Sequence, residues 1–117
     1  MDKKNTYFVD IDGTIFTYRK FETYKQTQAE VIQSTKDLLK QVYEEGHTIV
    51  LTTARPEDMR EHTINELKTN DIPYNQLVMG IGRGIRYLIN DMDPNKLEER
   101  AVAVNLIRDE GIKSESR

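Results

Sequence analysis

The stretch Tyr7–Thr14, Y-F-V-D-I-D-G-T, places two aspartates at the end of a short apolar run. Aromatic and β-branched residues in that run predict a buried strand, and Asp-Gly predicts the turn that ends it. Carboxylates are unfavourable in strands and costly to bury without a partner. Asp10 and Asp12 would also lie on the same side of an extended strand and repel each other. The sequence therefore predicts a cation or another compensating group near this turn.

The remainder of the chain alternates strand-like and helix-like segments. The first helix has Ser34 and Asp37 as a predicted capping box and Gly46 as its stop. This alternation predicts an α/β fold, a doubly wound and mainly parallel five-stranded Rossmann-like sheet with helices on both faces. The predicted elements are strand 7–11, helix 34–46, strand 47–52, helix 56–70 and strands 76–79, 86–89 and 101–106.

Length, charge and composition exclude several classes of protein. The 117 residues predict one domain over 1–117, with a frayed tail from about residue 111. A net charge of −3 gives no overall positive field for nucleic acid or an anionic membrane. The absence of cysteine excludes disulfides and thiol chemistry and favours a cytoplasmic location. The run after Lys3 and Lys4 is too short and too acidic for a signal peptide or a membrane span.

Polar residues follow several predicted strands, at the sheet edge where doubly wound folds bind ligands. Asp10, Asp12 and Asp91 would form there a set of oxygen ligands of the kind that Mg2+ prefers. A phosphoryl group at this edge would meet a hydroxyl, a guanidinium and backbone N–H groups of the Asp-Gly turn. The residues that offer these groups are Thr53, Arg83, Gly13 and Thr14.

Each of these stretches also has an ordinary structural explanation. Asp-Gly is a common turn, paired threonines are common at strand ends, and N-D-M-D-P over 90–94 could be a capped turn that opens a short helix. Their location at the same predicted edge favours a functional site. The histidines, His47 and His62, are expected to be solvated.

The segment Tyr18–Lys25, Y-R-K-F-E-T-Y-K, interleaves basic and aromatic residues. Such a segment can bind an anionic substrate or stack on a base. The overall acidity of the chain favours the alternative, in which the segment is a polar flap over the site without base contacts.

Three motifs occur in the order F-V-D-I-D-G-T, I-V-L-T-T-A-R-P and Y-L-I-N-D-M-D. Through these motifs the chain resembles the haloacid dehalogenase superfamily of phosphohydrolases. The resemblance implies that Asp10 attacks phosphorus to form an aspartyl-phosphate and that Asp12 is the general acid and base. It implies Mg2+ as cofactor, held by Asp10, Asp12 and Asp91, with Asn90 or Asp93 near it. It implies a phosphate-binding threonine, for which Thr53 matches better than Thr52.

The third signature of that superfamily departs from its usual form here. A lysine is usual at that position, and this chain offers only Arg83, flanked by glycines, or Arg86. A guanidinium can bind phosphate through two parallel hydrogen bonds, so Arg83 is expected to replace the lysine. The connections after the first and third strands are too short for a cap domain, so the chain resembles the capless group. An open site suits a bulky substrate, or a small one whose pocket a second subunit of a homo-oligomer completes.

The function expected from these residues is a Mg2+-dependent phosphomonoesterase. Its substrate would be a phosphorylated small molecule, a sugar phosphate or a nucleotide, with a polynucleotide end as the alternative and no membrane partner. Residues at the end of the second strand and near the fourth are expected to bind substrate: Thr52, Ala54, Arg55 and Asn90. One rival is a catalytically weak phosphate-binding or regulatory module. A receiver-like signalling domain is disfavoured, because its phosphorylated aspartate would lie on a later strand.

Overall fold

The computed structural model describes residues 3–113. Three strands form one parallel sheet in the order β1-β2-β3. The elements are β1 (Thr6–Asp10), α1 (Gln33–Glu44), β2 (Thr48–Thr52), α2 (Arg60–Thr69) and β3 (Gln76–Val78), with 3-10 turns over Phe21–Thr23 and Glu57–Met59. The parallel α/β arrangement is the one that the sequence predicts.

The end of α1 follows from Gly46, as the sequence predicts. Gly46 has φ 88°, its N–H donates to the Tyr43 carbonyl over 3.0 Å, and His47 N–H donates to the Val42 carbonyl over 3.0 Å. This is the Schellman arrangement, which needs a residue in the left-handed region. The predicted capping box at the other end is wrong. Helix α1 begins at Gln33 after Ile32, without a side-chain cap, so Ser34 already lies inside the first turn.

The core lies between the two helices and one face of the sheet. Ile49 and Leu51, two residues apart in β2, lie on that face of the sheet. They form a buried cluster with Leu39 of α1 and Leu67 of α2. The strand order β1-β2-β3 means that both connections run in the same direction across the sheet. Right-handed crossovers then place α1 and α2 on the same face. In residues 3–113 the expected helices on both faces are not seen. The opposite face carries Phe8, which is 56% exposed.

The segment 82–105 has no regular secondary structure beyond bends and turns, and nearly all of it is exposed. It includes the run 86–89 and all but the last residue of the run 101–106, which the sequence predicts as strands four and five. Their β propensity is not sufficient to form strands, because a strand exists only when it pairs with another strand. The five-stranded sheet is therefore not confirmed, and the absence of a cap domain stays a prediction. The radius of gyration, 15.1 Å, exceeds the roughly 13 Å of a compact chain of this length.

The chain returns to the body of the molecule after this segment. Asp109 donates its N–H to the Gly13 carbonyl over 2.8 Å and accepts the Tyr18 N–H on Oδ1 over 2.7 Å. Gly111 is buried against Ser34 and Ile32. The predicted frayed tail is therefore wrong at its first residue, whereas residues 114–117 lie outside the described part. Within the described part, no helix has the length and apolar character needed to cross a membrane.

Candidate active site

Asp10 is the last residue of β1 and lies at the rim of the sheet. Its carboxylate is 40% exposed, with Oδ1 3.8 Å from Arg86 Nη2, and Oδ2 accepts a hydrogen bond from Thr14 Oγ1 over 3.3 Å. Burial raises the pKa of Asp10, Arg86 opposes that rise, and the neighbouring Asp12 adds to it, so that the net pKa lies above its usual value. Asp10 is therefore an accessible carboxylate with a cation beside it.

Asp12 turns away from this rim and pairs with Arg55. Arg55 Nε donates to Oδ2 of Asp12 over 3.0 Å, and Nη2 donates to Oδ1 over 2.8 Å. The Arg55 side chain is fully buried, at 0% exposed, whereas the Asp12 side chain is 12% exposed. The compensating group that the sequence required is thus a guanidinium from the chain itself. Arg55 was expected to bind substrate, and its burial corrects that assignment.

A second carboxylate holds the other side of the Arg55 guanidinium. Arg55 Nη1 donates to Glu66 Oε1 over 2.8 Å and to Thr63 Oγ1 over 3.0 Å. Glu66 in turn accepts two hydrogen bonds from Arg19 Nη2, over 3.0 and 2.9 Å. The Tyr24 ring lies under both arginines, 4.3 Å from Arg55 Cζ and 4.9 Å from Arg19 Cζ. The buried network therefore joins the flap, α2 and the turn after β2.

The charges in this network are mutually stabilising. Burial by itself would lower the pKa of Arg55, but hydrogen bonds and charge from Asp12 and Glu66 raise it above its ordinary value. Burial raises the pKa of Tyr24, and the Asp12 carboxylate raises it further. Arg55 is therefore always a cation, and Tyr24 stays neutral at physiological pH.

The sequence did not indicate Glu66 as part of the site. It placed Arg19 and Tyr24 there only as members of the segment Tyr18–Lys25, without a role of their own. One feature of the sequence could have indicated that Glu66 lies near the core. It is adjacent to the core residue Leu67 and three residues after the buried Thr63 on the same helix. A carboxylate at the inner edge of a helix requires a buried cation. His62 was expected to be solvated, but its Nε2 lies 3.3 Å from Glu66 Oε2 and its side chain is 29% exposed.

The two candidate phosphate-binding threonines lie in different environments. Thr53 is 1% exposed, and its Oγ1 accepts the Arg55 N–H over 3.1 Å. Thr52 is half-buried and pairs with Asp10 in the sheet register, so both side chains lie on one face. Ala54 is half-buried in the turn that follows. The geometry favours Thr52 over Thr53 for contact with a group bound at Asp10.

The amides of the Asp-Gly turn are used inside the turn. Gly13 has φ 87°, its N–H donates to the Phe16 carbonyl over 2.7 Å, and Thr14 N–H donates to the Ile11 carbonyl over 3.2 Å. The prediction that these two N–H groups bind phosphate is therefore not supported. The contact of Thr14 with the site is made by its hydroxyl group, which donates a hydrogen bond to Asp10.

Arg83, Asn90 and Asp91 all lie exposed in the 82–105 segment. The cation beside Asp10 is Arg86, which favours Arg86 over Arg83 at the position of the usual lysine. Within residues 3–113 no three His, Asp or Glu side chains come close enough to hold a metal ion. The described arrangement therefore does not fit a Mg2+ site made of Asp10, Asp12 and Asp91.

Comparison with known proteins identifies a family. A family model described as haloacid dehalogenase-like hydrolase matches residues 7–81. That range contains β2, β3, both helices, all of β1 except Thr6, and the Asp12–Arg55–Glu66 network. No curated protein matches the chain.

Solved structures agree with this at the level of the fold. A chain of the Pnkp1/Rnl/Hen1 complex is similar with a TM-score of 0.58 and 22% identity, over 72% of this chain and 31% of that one. A structural-genomics target from Vibrio cholerae is similar with a TM-score of 0.53 and 20% identity, over 73% of this chain and 79% of that one. The sequence thus spans less than a third of the chain in the first complex.

Proposed function

Because the chain belongs to the haloacid dehalogenase-like hydrolases, we propose that it hydrolyses phosphate monoesters through a covalent intermediate on Asp10. The observation that carries this proposal is the pair of carboxylates at the end of β1. One is exposed at the rim beside a cation, and the other is held by a buried guanidinium. A free carboxylate is suited to nucleophilic attack, and a fixed neighbour is suited to proton transfer.

The reaction would proceed in two steps. In the first, an Asp10 oxygen attacks phosphorus, the bond from phosphorus to the leaving oxygen breaks, and that oxygen takes the carboxyl proton of a protonated Asp12, which becomes a carboxylate. In the second, water attacks phosphorus, Asp12 takes the proton of that water, and inorganic phosphate leaves as the Asp10 carboxylate is regenerated.

Two further residues are proposed to bind the phosphoryl group. Arg86, 3.8 Å from Asp10 Oδ1, offers a guanidinium that can stabilise negative charge on the phosphoryl oxygens. Thr52, next to Asp10 in the sheet, offers a hydroxyl on the same face. Both are within the part of the molecule where a phosphate on Asp10 would lie.

Dependence on Mg2+ is part of the proposal because haloacid dehalogenase-like hydrolases generally use it. The ion would supply positive charge at the phosphoryl group. Support comes from the family alone, since the described arrangement does not gather three carboxylates.

A p-nitrophenyl phosphate assay, with added Mg2+ and with EDTA, tests the activity. Asp10→Asn removes the nucleophile while keeping the size of the side chain, and turnover should fall to background. Asp58→Asn is the matched control, because Asp58 is an exposed aspartate in the turn before α2, and it should retain wild-type turnover. Equal turnover in Asp10→Asn and wild type would rule out the phospho-aspartate mechanism.

The substrate class is proposed to be a phosphorylated small molecule, either a sugar phosphate or a nucleotide. The second candidate, a polynucleotide end, is favoured by the fold similarity to a chain of the Pnkp1/Rnl/Hen1 complex. Tyr18 adds support, since its ring is partly exposed and Arg108 Cζ lies 4.0 Å from its centroid, and aromatic and cationic groups together bind single strands. Comparing kcat/KM for sugar phosphates, nucleotides and 3′-phosphorylated oligonucleotides distinguishes the two.

A further inference from the structure

The Asp12–Arg55 pair is a two-point ion pair whose guanidinium side is fully buried. Arg55 Nε and Nη2 donate to different oxygens of one carboxylate, over 3.0 and 2.8 Å, which is the bidentate fork arrangement. This arrangement restricts rotation of the Asp12 carboxylate about both its side-chain torsions. Each carboxylate oxygen has a second lone pair, so Asp12 can accept further hydrogen bonds beyond the two from Arg55, and a side-chain hydrogen bond with Tyr24 uses part of this capacity.

Arg55 is itself held in place from its other side. Glu66 Oε1 and Thr63 Oγ1 both accept from Nη1, and the Tyr24 ring lies 4.3 Å from Cζ. The side chain is at 0% exposure, and four of the five guanidinium N–H donors bond to Asp12, Glu66 and Thr63. A cation fixed in this way acts on another residue and does not contact the reacting atoms.

We propose that Arg55 is a positioning residue, which holds the Asp12 carboxylate at the orientation needed for proton transfer to the leaving group. This inference rests on the proposed function, because it assigns a task to the acid–base residue named there. Glu66 and Thr63 do not contact Asp12 in this proposal; they fix the position of the Arg55 guanidinium through their hydrogen bonds to Nη1. Arg19 of the flap continues the network through its two bonds to Glu66.

The physical reason is that proton transfer depends steeply on position. A displacement of about 1 Å at a reacting group can cost on the order of 10²-fold in rate. Lysine would keep the positive charge at position 55, but its single ammonium cannot reproduce the two parallel hydrogen bonds of the guanidinium. Arg55→Lys should therefore keep a cation beside Asp12 while the Asp12 carboxyl group becomes free to rotate.

The experiment measures kcat/KM for p-nitrophenyl, phenyl and alkyl phosphates, which differ in how much protonation their leaving groups need. For Arg55→Lys we expect a loss on the order of 10²-fold with the alkyl phosphate and less than about threefold with p-nitrophenyl phosphate. KM should change little, because Arg55 does not contact substrate. A purely structural role for Arg55 would lower kcat/KM by one factor for every leaving group, and that result would overturn the proposal.

Arg60→Lys is the matched control. Arg60 begins α2 and pairs with Glu57 at the surface, over 2.8 Å, so the same substitution there should leave all three values unchanged. Circular dichroism and a thermal melt establish that each variant is folded. If Arg55→Lys does not fold, Glu66→Gln takes its place, with a smaller effect of the same sign expected. An unchanged dependence on the leaving group in that variant would contradict the proposal.

Asp12→Asn separates failure of this inference from failure of the proposed function. If Asp12→Asn shows the wild-type dependence on the leaving group, Asp12 is not the acid, and the mechanism proposed above is wrong together with this inference. If Asp12→Asn becomes strongly dependent on the leaving group while Arg55→Lys does not, only the positioning role of Arg55 is overturned.

Discussion

Two aspartates separated by a single residue have different environments in this protein. Ile11, between them, is fully buried, and Gly13 turns the chain directly afterwards. Asp10 stays at the rim with Arg86, whereas Asp12 faces the buried Arg55. This difference in environment suits the two tasks proposed above, with Asp10 as nucleophile and Asp12 as acid and base.

The raised pKa of Asp10 gives a prediction about stability. Burial favours the neutral carboxyl in the folded state, so ionised Asp10 destabilises the fold above its folded-state pKa, and this cost disappears as the pH falls through that pKa. Asp10→Asn should therefore have a higher Tm than wild type at pH 7 in EDTA. Its advantage should shrink as the pH approaches about 4, the ordinary value for aspartate. Thermal melts across this range measure it, and a lower Tm for Asp10→Asn at pH 7 would contradict it.

Thr52 and Thr53 give a second prediction at this scale. Thr52→Val removes a hydroxyl on the face of Asp10, so KM for p-nitrophenyl phosphate should rise several-fold at nearly unchanged stability. Thr53→Val removes a buried acceptor of the Arg55 N–H, so the free energy of unfolding should fall by about 1–2 kcal/mol. A raised KM in Thr53→Val alone would restore Thr53 as the phosphate-binding residue.

Helices α1 and α2 both end in a Schellman arrangement, but with different residues in the left-handed position. Gly46 fills it after α1, and Asp71, with φ 54°, fills it after α2. After α2, the N–H groups of Asp71 and Ile72 donate to the Lys68 and Leu67 carbonyls over 3.1 and 3.0 Å. A residue with a Cβ pays a steric cost at this φ that glycine avoids.

Asp71→Gly is therefore expected to stabilise the protein by about 0.5–1 kcal/mol. The midpoint of urea unfolding measures this. Gly46→Ala is the converse change and should destabilise by a similar amount, since the atom nearest to the added Cβ is Lys4 Cε at an ordinary contact distance of 3.5 Å and the cost arises from φ. A lower urea midpoint for Asp71→Gly would show that the Asp71 side chain contributes more than its backbone strain costs.

Over the whole molecule, packing depends on a return contact from the end of the described chain. After the extended segment 82–105, Asp109 binds the Gly13 turn and the flap, and Gly111 packs against the start of α1. The turn at Gly13, which follows the two aspartates, is therefore held in place by residues close to the end of the described chain.

Gly111→Ala tests this return contact. An added Cβ would collide with Ser34 Oγ and lie 2.6 Å from Ile32 Cγ2, at a position with φ 75°. The free energy of unfolding should fall by about 1–3 kcal/mol. Gly82→Ala is the control, because nothing lies within 4 Å of its added Cβ, and its Tm should equal that of wild type. Equal Tm values for the two variants would mean that the end of the chain is not packed.

Local patterns in the sequence determined the order β1-α1-β2-α2-β3, the stop at Gly46 and the two aspartates at the end of β1. These features depend on residues close together in the chain, whose periodicity and turn chemistry carry the information. Only the tertiary structure decided that Arg55 pairs with Asp12, 43 residues away, and with Glu66. It also decided that 86–89 and 101–106 are not strands here, because strand formation requires a partner edge that a local sequence cannot specify.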